Sequence, residues 1–172
     1  TSEGASAVLY CSREPFYIFL GIYVASFQWI ESKLEEIILL QAGLDHRAET
    51  LARLAKMTNQ DRIKAVAVVS LDADRFPRVA ENAEWKEHVD RIIKGLGVER
   101  ERRNTILHSA YWLRGLEQGL TAIRTNKRRQ NGALEFDTEE MSRDRMDALL
   151  NEIASLAFST DQLHLQLVAW TP

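Results

Sequence analysis

The sequence predicts an all-α fold, a helical bundle with one small β-hairpin or extended insertion before its last long helix. Three observations lead there. Apolar residues recur at intervals of three and four along most of the chain. Only eight glycines and three prolines interrupt 172 residues. One Asn-Gly pair, Asn131-Gly132, sits between short extended-type segments, a strong local signal for a hairpin. At roughly 150 residues per domain the length fits one domain. The expectation is therefore a single domain over residues 1–172, with 1–11 as an irregular N-terminal arm and 115–137 as the hairpin-like insertion.

Each element has its own signal. Ser12 reads as an N-cap and Pro15 suits a first turn, so a long helix is expected to run to about Gln41 and stop at Gly43. It is apolar almost all round through Trp29, which predicts cover on several faces. A second helix, His46 to Met57, carries Leu51, Leu54 and Ala55. A third begins near Asn59 with Ile63, Val66, Ala67 and Leu71 and ends before the Phe76-Pro77 break. A fourth, Arg78 to Lys94, turns Trp85, Val89, Ile92 and Ile93 inward and stops at Gly95 and Gly97. A fifth runs from there to about Leu113. Arms at 120–125 and 133–136 then flank a tip at 127–132. Asp137 and Glu140 resemble a capping box for the last helix, which buries Met146, Leu149, Leu150, Ile153 and Leu156. Ser159-Thr160-Asp161 is either inside that helix or the cap of a further one.

Composition excludes several classes. The lone cysteine, Cys11, rules out a disulfide framework and a Cys-rich metal site. The apolar run Phe16–Ile30 is short of the roughly 20 residues of a membrane span, and Glu31, Lys33, Glu35 and Glu36 follow at once. Arg13-Glu14-Pro15 lacks the features of a secretion signal. A cytoplasmic protein with no membrane partner is expected. No metal and no cofactor is expected either, since neither His-Glu-x-x-His nor paired Glu-x-x-His occurs.

The net charge of −3 conceals an uneven distribution. Residues 91–130 hold ten basic and three acidic side chains, or +7, and the remainder holds 12 basic and 22 acidic, or −10. Such a block is the footprint of a polyanion ligand, or else a solvated surface balancing acidic neighbours.

Inside the block, the fifth helix reads Glu101-Arg102-Arg103-Asn104-Thr105-Ile106-Leu107-His108-Ser109-Ala110-Tyr111-Trp112. At about 100° per residue, Ile106, Ala110 and Leu113 define a core stripe. Asn104 and His108 then point together on the far side, flanked by Tyr111 and Trp112. Arg, Asn and His are the side chains that cleave RNA without a metal. A neutral imidazole takes the proton of a ribose 2′-OH, a guanidinium meets the charge growing on the phosphoryl oxygens, and an amide positions either. The products would be a 2′,3′-cyclic phosphate and a 5′-hydroxyl, and DNA would be spared.

Arg103-Asn104-Thr105-Ile106-Leu107-His108 resembles the hallmark of the HEPN superfamily (higher eukaryotes and prokaryotes nucleotide-binding): Arg, often a polar residue, then His after four to six positions. The likeness extends to the long apolar first helix, the motif near the start of a late helix and the final amphipathic helix. It implies a helical bundle that dimerises, two motifs in one cleft, and metal-independent RNA cleavage in a toxin–antitoxin, antiphage or RNA-processing setting. It further implies that Arg103 stabilises phosphate, Asn104 orients and His108 acts as base or acid. Arg102, with five intervening residues, also fits the spacing. RNA-binding side chains are expected at Arg102, Arg124, Lys127, Arg128 and Arg129, with Glu31 and Tyr111 in support. An antitoxin or regulatory protein is a candidate partner.

Two other readings remain at this point: the same fold holding RNA or a nucleotide without turnover, and a purely regulatory helical protein. His108 in those cases is an interface or capping histidine. His46, His88 and His164 are expected at the surface or satisfied within it, and Trp29, Trp85 and Trp170 in the core or an interface.

Overall fold

The structure is a computed structural model that describes residues 2–114, 121–130 and 133–171, with side chains over 14–111 and 138–171. Among the described residues the elements are α1 (Ser2–Ala42), α2 (Arg47–Leu54), α3 (Asn59–Val69), α4 (Arg78–Glu81), α5 (Trp85–His108), β1 (Ala110–Arg114), β2 (Thr121–Gln130), β3 (Ala133–Met141) and α6 (Arg143–Trp170). The fold is mostly helical, as the periodicity predicts, with its extended insertion before the last long helix. That insertion is a three-stranded antiparallel sheet in the order β1-β2-β3. No helix among the described residues is long and apolar enough to cross a membrane.

The chain separates into two compact units, each drawn from two distant segments. Residues 1–25 and 102–152 form the first, and 26–101 and 153–172 the second. The divisions fall inside α1, α5 and α6, so no linker marks them.

In the first unit, Phe16, Phe19 and Tyr23 of α1, Ile106 of α5, Met141 of β3 and Met146 and Leu149 of α6 are buried. The Phe16 ring lies 4.8 Å from that of Tyr111. In the second unit the core takes Phe27, Ile30, Leu34, Ile37 and Ile38 from α1, and Val89, Ile92 and Leu96 from α5. Trp85 donates its indole N–H to Ser70 O at 2.8 Å and packs 4.4 Å from Trp170. Along α1 the buried positions step by three and four, which makes one stripe. Tyr17, Ile18, Ile22 and Trp29 stand exposed, so the expected cover on several faces is corrected to one. Over Trp29 the Lys33 ammonium sits 5.1 Å from the ring centre.

Several boundaries also differ from expectation, each for a physical reason. Helix α1 begins at Ser2, so Pro15 is interior and residues 2–11 are helical rather than an irregular arm. Proline there removes a single helical hydrogen bond, which the rest of a 41-residue helix outweighs. Gly95 and Gly97 do not end a helix: α5 runs through both, because its buried stripe Trp85, Val89, Ile92, Leu96 continues to Glu99 and Ile106. The α5 helix then stops at His108, five residues short of Leu113. The Ser109 hydroxyl donates to Thr105 O, and Tyr111 Oη donates to Ile106 O at 2.7 Å. Two carbonyls left over at the helix end are thereby satisfied, and the chain is released into β1.

Asp137 and Glu140 lie within β3 rather than capping a helix. Ser142 does the capping, its Oγ accepting from Arg145 N at 3.2 Å. In α6, Ser159 and Thr160 donate back to Ser155 O and Leu156 O at 3.0 and 2.8 Å, so the helix continues without a recap. Thr58 and Asp61 form a reciprocal capping box on α3, and Gly43 (φ 75°) ends α1 as its position suggested.

Candidate functional site

The motif occupies the last two turns of α5, at the C-terminal end of a late helix rather than near its start, since the two glycines do not break it. Ile106 is 1% exposed, which fixes the helix's inward side. Asn104 and His108 stand about 160° away from it on either side, so they share the outward face. Asn104 is half-buried and His108 exposed. Among the described residues His108 makes no hydrogen bond or ion pair, and its ring is open to a ligand. Arg103 lies only about 60° from Ile106 on the wheel and is half-buried. Its Nη1 donates to Asn104 Oδ1 at 3.2 Å. The structure thus joins Arg103 to Asn104 directly, and leaves His108 one turn beyond them.

The two candidate arginines differ in their surroundings. Arg102 Nη2 is 2.6 Å from Glu152 Oε2 of α6. A phosphate would have to compete with that carboxylate for Arg102, whereas Arg103 already bonds the motif's own amide.

Two expected supporters have other duties. Tyr111 belongs to β1, so a helical projection does not apply to it. Its hydroxyl caps α5 and its ring packs on Phe16. Glu31, in the second unit, accepts from Asn59 Nδ2 at 3.0 Å and sits 3.9 Å from Arg62 Nη1. Glu35 adds a 3.1 Å contact to Arg62 Nη2. Glu31 is a brace between α1 and α3.

Arg124, Lys127, Arg128 and Arg129 all lie on β2, a strand that reaches Gln130, so they occupy a paired strand instead of a loop tip. Their side chains, with Asn131 and Gly132, lie outside the described residues. The register carries the information. Arg124 stands opposite Glu139, Arg128 opposite Glu135, Lys127 opposite Phe136 and Arg129 opposite Leu134. Opposite charges directly across strands are favourable, so part of the basic block is answered by the acidic strand that follows it. Elsewhere in the block Arg91 contacts Glu87 at 3.4 Å and Arg100 pairs with Glu101. The sequence count of +7 overstates the free charge, because it ends just before β3.

A second site escaped the sequence altogether. Within the second unit a cavity of 660 Å³ is lined by residues of α1, of α2, of the segments after α1 and α3, and of α6, including Arg47, Arg75 and His164. His164 is neither at the surface nor satisfied: its side chain is 16% exposed, and Nδ1 is buried with no hydrogen bond among the described residues. Burial holds its imidazole below the ordinary value, against an opposing pull from Glu36 3.7 Å away. No linear spacing could have shown this site, since its residues come from separate stretches. No group of three or more His, Cys, Asp or Glu suited to a metal occurs among the described residues.

Compared with protein-family models, with curated proteins and with solved structures, the chain matches none of them.

Proposed function

We propose that this chain is a metal-independent endoribonuclease of the HEPN type, acting as a homodimer whose composite cleft holds two copies of the α5 motif. The observation that carries the proposal is the exposed His108, unengaged among the described residues, on the same helix face as Asn104, which is itself bonded to Arg103. In the reaction the 2′-oxygen attacks phosphorus while one His108 takes its proton. The 5′-oxygen leaves and receives a proton from the His108 of the partner subunit. Arg103 meets the charge on the non-bridging oxygens, and Asn104 keeps the guanidinium aimed. Two subunits are needed because Arg103 and His108 are about 140° apart on one helix. The setting proposed is cytoplasmic, in toxin–antitoxin, antiphage or RNA-processing chemistry, with an antitoxin or regulatory protein as a further partner.

The test is cleavage of end-labelled RNA in EDTA by the wild-type chain and by His108→Ala. The expected result is a 2′,3′-cyclic phosphate product and a loss of about 10²–10⁴-fold in rate for the variant. Because His108 is exposed, its removal should leave folding intact. Undiminished cleavage by the variant would overturn the proposal. A second reading, RNA or nucleotide binding without turnover, draws on the Arg102–Glu152 pair and the acidic strand opposite β2. It predicts saturable retention of RNA with no cyclic-phosphate product.

A further inference from the structure

The cavity of the second unit has an unusual distribution of partners. Its one carboxylate, Glu36, is already held, accepting from Lys33 Nζ at 2.7 Å. Lys33 in turn lies 3.4 Å from Asp161, so that corner is balanced. Its two guanidiniums are less closely held. Among the described residues neither Arg47 nor Arg75 has a carboxylate within ion-pair distance. Arg75 uses only Nε, donated to Leu40 O at 3.2 Å, where it caps the C-terminal end of α1. Its Nη groups are left unbonded among the described residues. Asp72, three residues before Arg75 and near enough to feel its charge, accepts from Gln41 Nε2 at 2.9 Å and from the backbone N–H groups of Asp74 and Arg75.

The remaining wall is apolar, formed by Leu39, Leu40 and Leu44. A volume of 660 Å³ lies in the range of small-molecule sites. Gly43 keeps the floor between these leucines and Arg75 low: a Cβ there would stand 3.6 Å from Arg75 Nη2, and its φ of 75° suits glycine.

We propose that this cavity binds a small organic anion with an apolar body, its acidic head between Arg47 and Arg75 and its body against Leu39, Leu40 and Leu44. A guanidinium offers a planar pair of donors that matches a carboxylate or sulfonate, and two of them with no carboxylate within ion-pair distance among the described residues make the site selective for negative charge. This site shares no residue with the α5 motif, so its test is independent of RNA cleavage.

The experiment is a fluorescence titration of the full chain with anilinonaphthalenesulfonate, and in parallel with the uncharged N-phenylnaphthylamine. The expected result is saturable binding of one sulfonate per chain, with the neutral analogue at least about tenfold weaker. Arg47→Gln and Arg75→Gln should each weaken the sulfonate about tenfold and leave the neutral analogue unchanged. Arg47 is exposed and holds no structural bond, so its variant keeps the test valid even if Arg75→Gln loosens the end of α1. Absence of saturable sulfonate binding, equal binding of the two probes, or indifference to Arg47→Gln would each overturn the proposal.

Discussion

Replacing Gly97 by alanine tests whether α5 is one helix, on which the placement of the motif at its C-terminal end depends. An ideal Cβ built on Gly97 meets nothing within 4 Å, and its φ is not in the left-handed region. The substitution therefore meets no clash and no backbone strain, and only helix propensity changes. Alanine is favoured over glycine in a helix interior by about 0.8–1.0 kcal/mol, through the smaller backbone entropy lost on folding. Gly97→Ala should raise stability by about that amount, read as a higher urea midpoint at unchanged slope, or as a rise of about 2–4 °C in melting temperature. Gly95 supplies the internal control. Its Cβ would approach Leu156 Cδ1 to 3.1 Å, so that methyl must give way and the same propensity gain is largely offset. If residues 95–97 instead formed a turn between two helices, glycine would be needed and Gly97→Ala would destabilise. A loss of stability for Gly97→Ala would refute the continuous helix.

Two further outcomes follow from buried groups. Trp85→Phe removes the one donor to the buried Ser70 carbonyl among the described residues, and thins the contact with Trp170, so a loss of about 2 kcal/mol or more is expected in urea unfolding; a change below about half of that would show the bond to be dispensable. His164 is held below its ordinary value of 6.5, chiefly by burial, so below that pH the unfolded chain binds more protons than the folded one. Stability contributed by the neutral ring is present above about pH 6.5 and falls as the pH drops from there, and His164→Gln should flatten the profile between about pH 7 and pH 5; parallel profiles for the two chains would refute it.

Much of the fold was legible where one residue settles one local question. Helix α3 begins at Asn59 as its pattern indicates, Gly43 supplies the positive φ that ends α1, and β2 and β3 pair antiparallel up to Gln130 and Ala133 on either side of Asn131-Gly132. Signals of the same kind misled where burial outweighed them. Pro15 and the glycines at 95 and 97 mark helix ends by propensity, yet the apolar stripes of α1 and α5 continue past them, and a stripe many turns long outweighs the few kcal/mol of a local breaker. Ser109 and Tyr111 end α5 through hydroxyl bonds to its last carbonyls, which no periodicity reveals.

The candidate site divides along the same line. The outward pairing of Asn104 with His108 followed from helix geometry alone, once Ile106 was taken as the inward residue. What Arg102 and Glu31 touch depends on α6 and α3, which only the folded chain brings within reach. The arginine-lined cavity was illegible because its walls meet only in three dimensions.

The facing of β2 by β3 has an electrostatic consequence for any approaching polyanion. Neighbouring strands lie about 4.8 Å apart, well inside the roughly 8 Å over which physiological salt lets charges be felt. The register pairs Arg124 with Glu139 and Arg128 with Glu135, so beyond that range the two strands contribute charges of opposite sign, and their summed potential falls away faster than that of a cationic strand alone. An approaching polyanion would therefore feel this pair of strands only at short range.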